Sequence, residues 1–151
     1  MKPANHFIRA CILATLLLFT GKVLAVESTT ILTSMFTWWN HAMKNPAGLT
    51  QNNFGTYFTD DAAIYINGHL QVKGTKNMVQ HFRKIQKRMD SIHIELPFIE
   101  EFIAGDKVFT YHRSVKSVDG VTSSSLVMGY ITKKNEKISK VSFLRVSAND
   151  D

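Results

Sequence analysis

A chain of 151 residues with 18 Lys and Arg, 12 Asp and Glu and one cysteine, Cys11, excludes an internal disulfide framework and a cysteine-based zinc site. Its formal charge of +6 falls to about +3 once residues 1–25 are set aside, because Lys2, Arg9 and Lys22 lie there and no acid does. That excess is too small to argue for nucleic-acid binding, and residues 26–151 suffice for one domain with one unstapled core.

Residues 1–25 read as a secretory signal. Lys2 and Arg9 precede an apolar run from Ala10 to Phe19, and Val23-Leu24-Ala25 ends in a small residue suited to cleavage. The run is shorter than the roughly 20 apolar residues that span a bilayer. The expectation is cleavage after Ala25, no lipid on Cys11, no stable membrane insertion afterwards, and a periplasmic or extracellular domain over 26–151.

Ser28 to Lys44 reads as a first helix, with Ile31, Met35, Trp38 and Ala42 at helical spacing beside Leu32, Phe36, Trp39 and Met43. Asn45-Pro46-Ala47-Gly48 stops it, and a short second helix runs from Thr50 to Phe58. Ala62–Ile66 and His69–Lys73 form a hairpin on Asn67-Gly68, a pair that favours a type I′ turn. Thr75 caps a third helix to Met89, with Met78, Phe82, Ile85 and Met89 in one stripe and His81, Arg83, Lys84, Lys87 and Arg88 opposite.

From Ser91 the hydrophobic period shortens to two. Strands are expected over Ile92–Ile103, Lys107–Val118, Thr122–Lys133 and Lys137–Ser147, with turns at Gly105-Asp106, Asp119-Gly120 and Asn135-Glu136. Pro97 marks a bulge or bend in the first of them. The fold class is α+β, three helices and a short hairpin packed on a strongly curved antiparallel sheet.

Tyr57-Phe58-Thr59-Asp60-Asp61-Ala62, Gly74 before the third helix and Glu136-Lys137-Ile138 before the last strand, in this order of elements, resemble the nuclear-transport-factor-2-like superfamily and its SnoaL-like branch. The resemblance covers residues 26–151 and implies a cystatin-like cone whose helices and concave sheet face enclose a pocket. It also implies homodimers joined through the outer sheet face. Members include isomerases, cyclases, binders and interaction modules, so fold alone does not choose among them. Ketosteroid isomerases of this superfamily use an aspartate base with a tyrosine and a protonated aspartic acid. Matched on these motifs, the base position is Ile66, the acid position is Met128, and Trp38 to Asn40 stands where the tyrosine belongs. That mechanism therefore has no groups to run on.

The same resemblance turns Val108, Thr110, His112 and Ser114 inward on the second long strand. On the third it turns Ser124, Leu126, Met128 and Tyr130 inward, and on the last Val141, Phe143 and Arg145. His112 is the candidate general acid or base; the structural alternative is a histidine satisfied by Tyr130 or a backbone carbonyl. Trp38, Trp39, Ile66, Met128, Tyr130, Phe143 and Arg145 are the candidate ligand contacts. Arg145 suits a carboxylate or phosphate. The two tryptophans diverge by about 100° on a helix, so at most one faces a pocket squarely. No cofactor or metal is expected, since His41, His69, His81, His93 and His112 lie on separate elements without ligand spacing.

Three functions compete on this reading. The first is an exported domain binding a small, mainly apolar molecule or a protein partner without established catalysis. The second is a cyclase- or isomerase-type enzyme using His112, with Tyr130 or Arg145 polarising the substrate. The third is a secreted interaction module acting through the basic third helix.

Overall fold

The computed structural model describes residues 29–148, so the expected signal segment, the expected cleavage after Ala25 and Cys11 lie outside the described residues. Helix α1 (Ile31–Lys44) begins where Thr30 accepts a hydrogen bond from the Thr33 amide, a side-chain cap on an otherwise unpaired N–H. It buries Leu32, Met35, Phe36, Trp39, Ala42 and Met43. A 3-10 turn at Pro46–Gly48 leads to α2 (Gln51–Tyr57), which passes directly into β1 (Phe58–Ile66). Asn67 and Gly68, at φ 52° and 78°, return the chain as β2 (His69–Lys73) in the expected turn. Helix α3 spans Thr75–Arg88. Thr75 does not cap it: the cap position is Gly74, at φ 84°, and Thr75 is a buried first-turn residue.

The sheet continues with β3 (Ser91–Ile94), β4 (Glu100–Ala104), β5 (Lys107–Val118), β6 (Val121–Lys134) and β7 (Lys137–Ser147), in the order β2-β1-β7-β6-β5-β3 with β4 also on β5. Neighbours pair antiparallel except β1 and β7, whose parallel ladder brings the early hairpin onto the last strand. The single strand expected over Ile92–Ile103 is two strands. Pro97 has no N–H to donate to a ladder, and around it the chain leaves β5 and returns, with β3 on Ser114–Ser117 and β4 on Lys107–Tyr111. The excursion carries Phe98 in against the core.

Helix α1 covers this β3–β4 margin. The Asn40 side chain exchanges two hydrogen bonds of 2.8 Å with the backbone of Ile94, acting as a one-residue strand partner. Thr30 and Thr33 donate to Glu101 on β4. Arg83 and Gln86 of α3 donate to the carbonyls of Leu49 and Met43, which ties the helices together at the C-terminal end of α1. The result is an α+β cone, three helices against a strongly curled sheet. No helix among the described residues is long and apolar enough to cross a membrane.

Candidate functional site

Between the helices and the concave sheet face lies a cavity of about 180 Å³. Helix α1 supplies Met35, Phe36 and Trp39 to its wall, and α3 supplies Phe82 and Ile85. Phe54, Phe58 and Ile64 close the inner end, and Ile92 and Ile94 stand on the β3 side. The floor is the sheet. Residues directly opposite each other on paired strands share a face, so the rows can be followed across β5, β6 and β7. Val108, Ile131 and Val141 form the innermost row, followed by Thr110, Gly129 and Phe143, and then by His112, Val127 and Arg145. Ser114 and Ser125 lie one row farther out. Val108, Ile131, Val141, Thr110, Phe143, His112 and Val127 are all buried, whereas Arg145, at the β7 end of the third row, is exposed and marks the mouth with Gln71.

His112 is the one ionisable group buried in this floor, at 1% exposure. Its ring is caged by Phe36, Phe98 and Phe143, with centroids 5.3 to 5.5 Å away. Its Nδ1 lies 3.1 Å from the Thr110 hydroxyl, a pair in which either can donate according to the histidine tautomer. Nε2, on the opposite side of the ring, has no protein partner among the described residues. Burial pushes the pKa of His112 down to about 4, because the aromatic cage offers the imidazolium no solvation. The side chain is therefore neutral at pH 7, an adaptable hydrogen-bonding group and a weak base.

The sequence-derived candidates divide. Trp39, Ile66, His112, Phe143 and Arg145 line the cavity. Trp38 does not: it stacks on Tyr57 at 5.2 Å and meets Phe54 edge-on, packing α1 onto α2. Met128 and Tyr130 stand on the outer face of the sheet, Met128 at 52% exposure and Tyr130 beside Phe109. Tyr130 is thus neither the partner of His112 nor able to polarise a substrate bound beside it; Thr110 holds that histidine. The correction has a local cause. A β-bulge between Thr132 and Lys133 shifts β6 by one residue against β7, which exchanges its two faces. Val127 is consequently inward, a residue the sequence reading left out. Phe98 was also missed, and nothing in its irregular segment announces which way it turns.

The lining contains no carboxylate. Among the described residues no group of three or more His, Cys, Asp or Glu side chains is placed to hold a metal ion. Trp39 Nε1 is buried without a hydrogen-bond partner, its ring meeting Phe36 and Phe82 edge-on. The site can enclose an apolar body, offer it one neutral hydrogen-bonding group at His112, and present one cation at its mouth.

Comparison with solved structures decides the fold. An NTF2-like protein from Anabaena variabilis superposes with a TM-score of 0.60 at 15% identity, covering 86% of this chain and 97% of that one. The protein has the nuclear-transport-factor-2-like fold. A hypothetical protein with ketosteroid-isomerase-like fold from Catenulispora acidiphila, in complex with trimethylamine, gives 0.56 at 18% identity, covering 74% and 83%. An LEH-like epoxide hydrolase from M. tuberculosis gives 0.58 at 15%, covering 78% and 84%. No family model and no curated protein matches the sequence. At these identities the nuclear-transport-factor-2-like likeness is one of architecture, and neighbours of differing activity share it.

Proposed function

We propose that this protein is an exported binding domain whose cavity holds a small, mainly apolar molecule, and that it works as a homodimer joined through the outer sheet faces. The observation that carries the reading is the cavity itself, open at one end, floored and walled by aliphatic and aromatic side chains, with few polar groups. Its volume of about 180 Å³ is close to the roughly 150 Å³ of an engineered apolar cavity that binds benzene. Catalysis through His112 is less well supported. Its conjugate acid forms near pH 4, so it neither holds a proton to give at pH 7 nor accepts one readily.

Titration with toluene followed by amide chemical shifts tests the binding reading. Shifts should cluster at residues such as Phe36, Phe82, Val127 and Phe143. Replacing Val127→Phe should fill the floor and suppress them, at a stability cost of about 1–3 kcal/mol for overpacking. A saturating titration without shifts in the wild-type lining would overturn the reading.

A second reading, an interaction module working through the basic helix, is favoured by one observation. Residues 29–59 and 74–89, which hold all three helices, contain no Asp or Glu. Arg83 is committed to the Leu49 carbonyl, which leaves Lys84, Lys87 and Arg88 exposed along α3. Reversing Lys84→Glu and Arg88→Glu should abolish capture of an acidic partner on this reading; toluene-site binding should be untouched.

A further inference from the structure

Among the side chains that line the cavity there is one formal charge, the guanidinium of Arg145. It makes no ion pair and no side-chain hydrogen bond among the described residues. A cation with no countercharge, set where an apolar chamber meets solvent, is free to pair with an anion supplied from outside.

Arg145 is also held in place. The Asn67 side chain, on the β1–β2 turn, accepts from the Arg145 amide at 2.7 Å and donates to the Arg145 carbonyl at 3.1 Å. The Asn67 amide donates to the Phe143 carbonyl at 2.9 Å. The parallel β1–β7 ladder, which ends at Ile66 and Phe143, is thereby extended by a side chain that fixes the backbone beneath the guanidinium. A fixed backbone lowers the ordering cost when the fork of Arg145 closes on a ligand.

Polarity is graded in the same direction. Inward from Arg145 the rows are Phe143 and then Val141, both buried and apolar. The acid-free helices opposite add no negative potential that would repel an anion. A protonated amine, by contrast, would meet a like charge at the mouth.

We infer that the ligand of this cavity is an apolar monoanion, one ring or a short chain carrying a carboxylate, bound with its carboxylate on Arg145 and its body directed toward Phe36, Phe54 and Val141. The inference rests on the binding reading given above and adds the class of ligand. Asn67 is a positioning residue for it.

The test uses matched pairs that differ in charge alone: benzoate with benzamide, cyclohexanecarboxylate with its carboxamide, and hexanoate with hexanamide. Binding is followed by amide shifts and calorimetry. At least one carboxylate should bind about tenfold more tightly than its amide, as a charge-assisted pair at a partly exposed site allows. That preference should shrink with added salt and vanish in Arg145→Gln, while Arg145→Lys keeps part of it. Asn67→Gly, which preserves a turn able to adopt positive φ, should lower carboxylate affinity and leave amide affinity unchanged. Carboxylate and amide bound equally well, or a preference that survives Arg145→Gln, would overturn the anion and leave the apolar cavity standing. If no member of any pair shifts the lining resonances up to its solubility, both fall. An Asn67→Gly variant with wild-type carboxylate affinity would remove only the positioning role.

Discussion

His112 shows how strongly one residue's chemistry depends on its place. An imidazole in water has a pKa of about 6.5, and this one is pushed down to about 4 by burial. The surrounding groups are Phe36, Phe98, Phe143 and the Thr110 hydroxyl, none of which carries a charge to oppose the shift. In the unfolded chain the ring is protonated below about pH 6.5, whereas the folded state resists protonation until about pH 4. Between those values the unfolded state binds more protons, so stability falls as pH falls, and the loss is complete once the folded-state ring protonates. A shift of this size corresponds to about 3 kcal/mol between pH 7 and pH 4. Urea midpoints across that range should drop more steeply for the wild type than for His112→Gln, which keeps a hydrogen-bonding side chain for Thr110 and has no proton to gain. Parallel slopes for the two proteins would mean that His112 titrates freely in the fold and that the cage is open to water.

Strand β6 is where sequence reasoning and structure part, and the reason can be stated residue by residue. The two-residue turn Asp119-Gly120 pairs Val118 with Val121 and, counting outward, His112 with Val127. The two-residue turn Asn135-Glu136 pairs Lys134 with Lys137 and, counted outward without interruption, would set Phe143 opposite Met128. With His112 and Phe143 both inward, the first turn requires Val127 inside and the second requires Met128 inside. Adjacent residues of a strand cannot both face in, so the turns already implied one extra residue somewhere in the β6–β7 pair. The bulge opposite Thr132 and Lys133 supplies it on β7, where Ser139 is left unpaired between Ile138, opposite Lys133, and Lys140, opposite Thr132, and Phe143 then pairs with Gly129. What was legible was the element order and the turns, carried by local period and turn chemistry, and the inward sets of β5 and β7, which alternation grouped and the family resemblance turned toward the pocket. What was not legible was a one-residue register change, because β6 carries apolar residues on both faces and its pattern alone does not choose. The residue that now faces Phe143 admits no side chain. Gly129 sits at φ 148°, and a Cβ there would come within 2.1 Å of the Ser142 carbonyl oxygen. Gly129→Ala should cost about 3 kcal/mol or more through combined strain and overlap, read as a lower urea midpoint at unchanged slope. A neutral substitution would show that the β6–β7 register is not the one described.

At the scale of the whole molecule, the exchange of faces on β6 moves apolar side chains from the cavity to the outside. The outer rows are contiguous: Phe102, Phe109 and Tyr130 in one, Tyr111, Met128 and Leu144 in the next, and Leu126 with Val146 beyond. Phe102, Met128, Leu144 and Val146 are each more than half exposed. The Phe102 and Phe109 rings stack in parallel at 4.7 Å, which presents a flat apolar surface. A patch drawn from four neighbouring strands exceeds the scattered exposure ordinary in a monomer and is costly to leave in water. The helical layer makes a poor partner for it. Its outer side carries Lys76, Lys84, Lys87 and Arg88, whereas the apolar rows of one sheet match those of a second copy turned by a two-fold axis. Such an interface would also bury Leu144, the residue between Phe143 and Arg145, and so stiffen the mouth of the cavity. Sedimentation velocity on residues 26–151 should therefore show a dimer, with Leu144→Lys and Met128→Glu shifting it to monomer by placing charges at the centre of the contact. The doubly substituted monomer should keep its fold and bind the carboxylate probes more weakly, through a less rigid β7. A wild-type protein that stays monomeric at high concentration would remove the dimer and leave the outer face awaiting a different partner, while a monomeric variant with undiminished affinity would show that cavity and interface act independently.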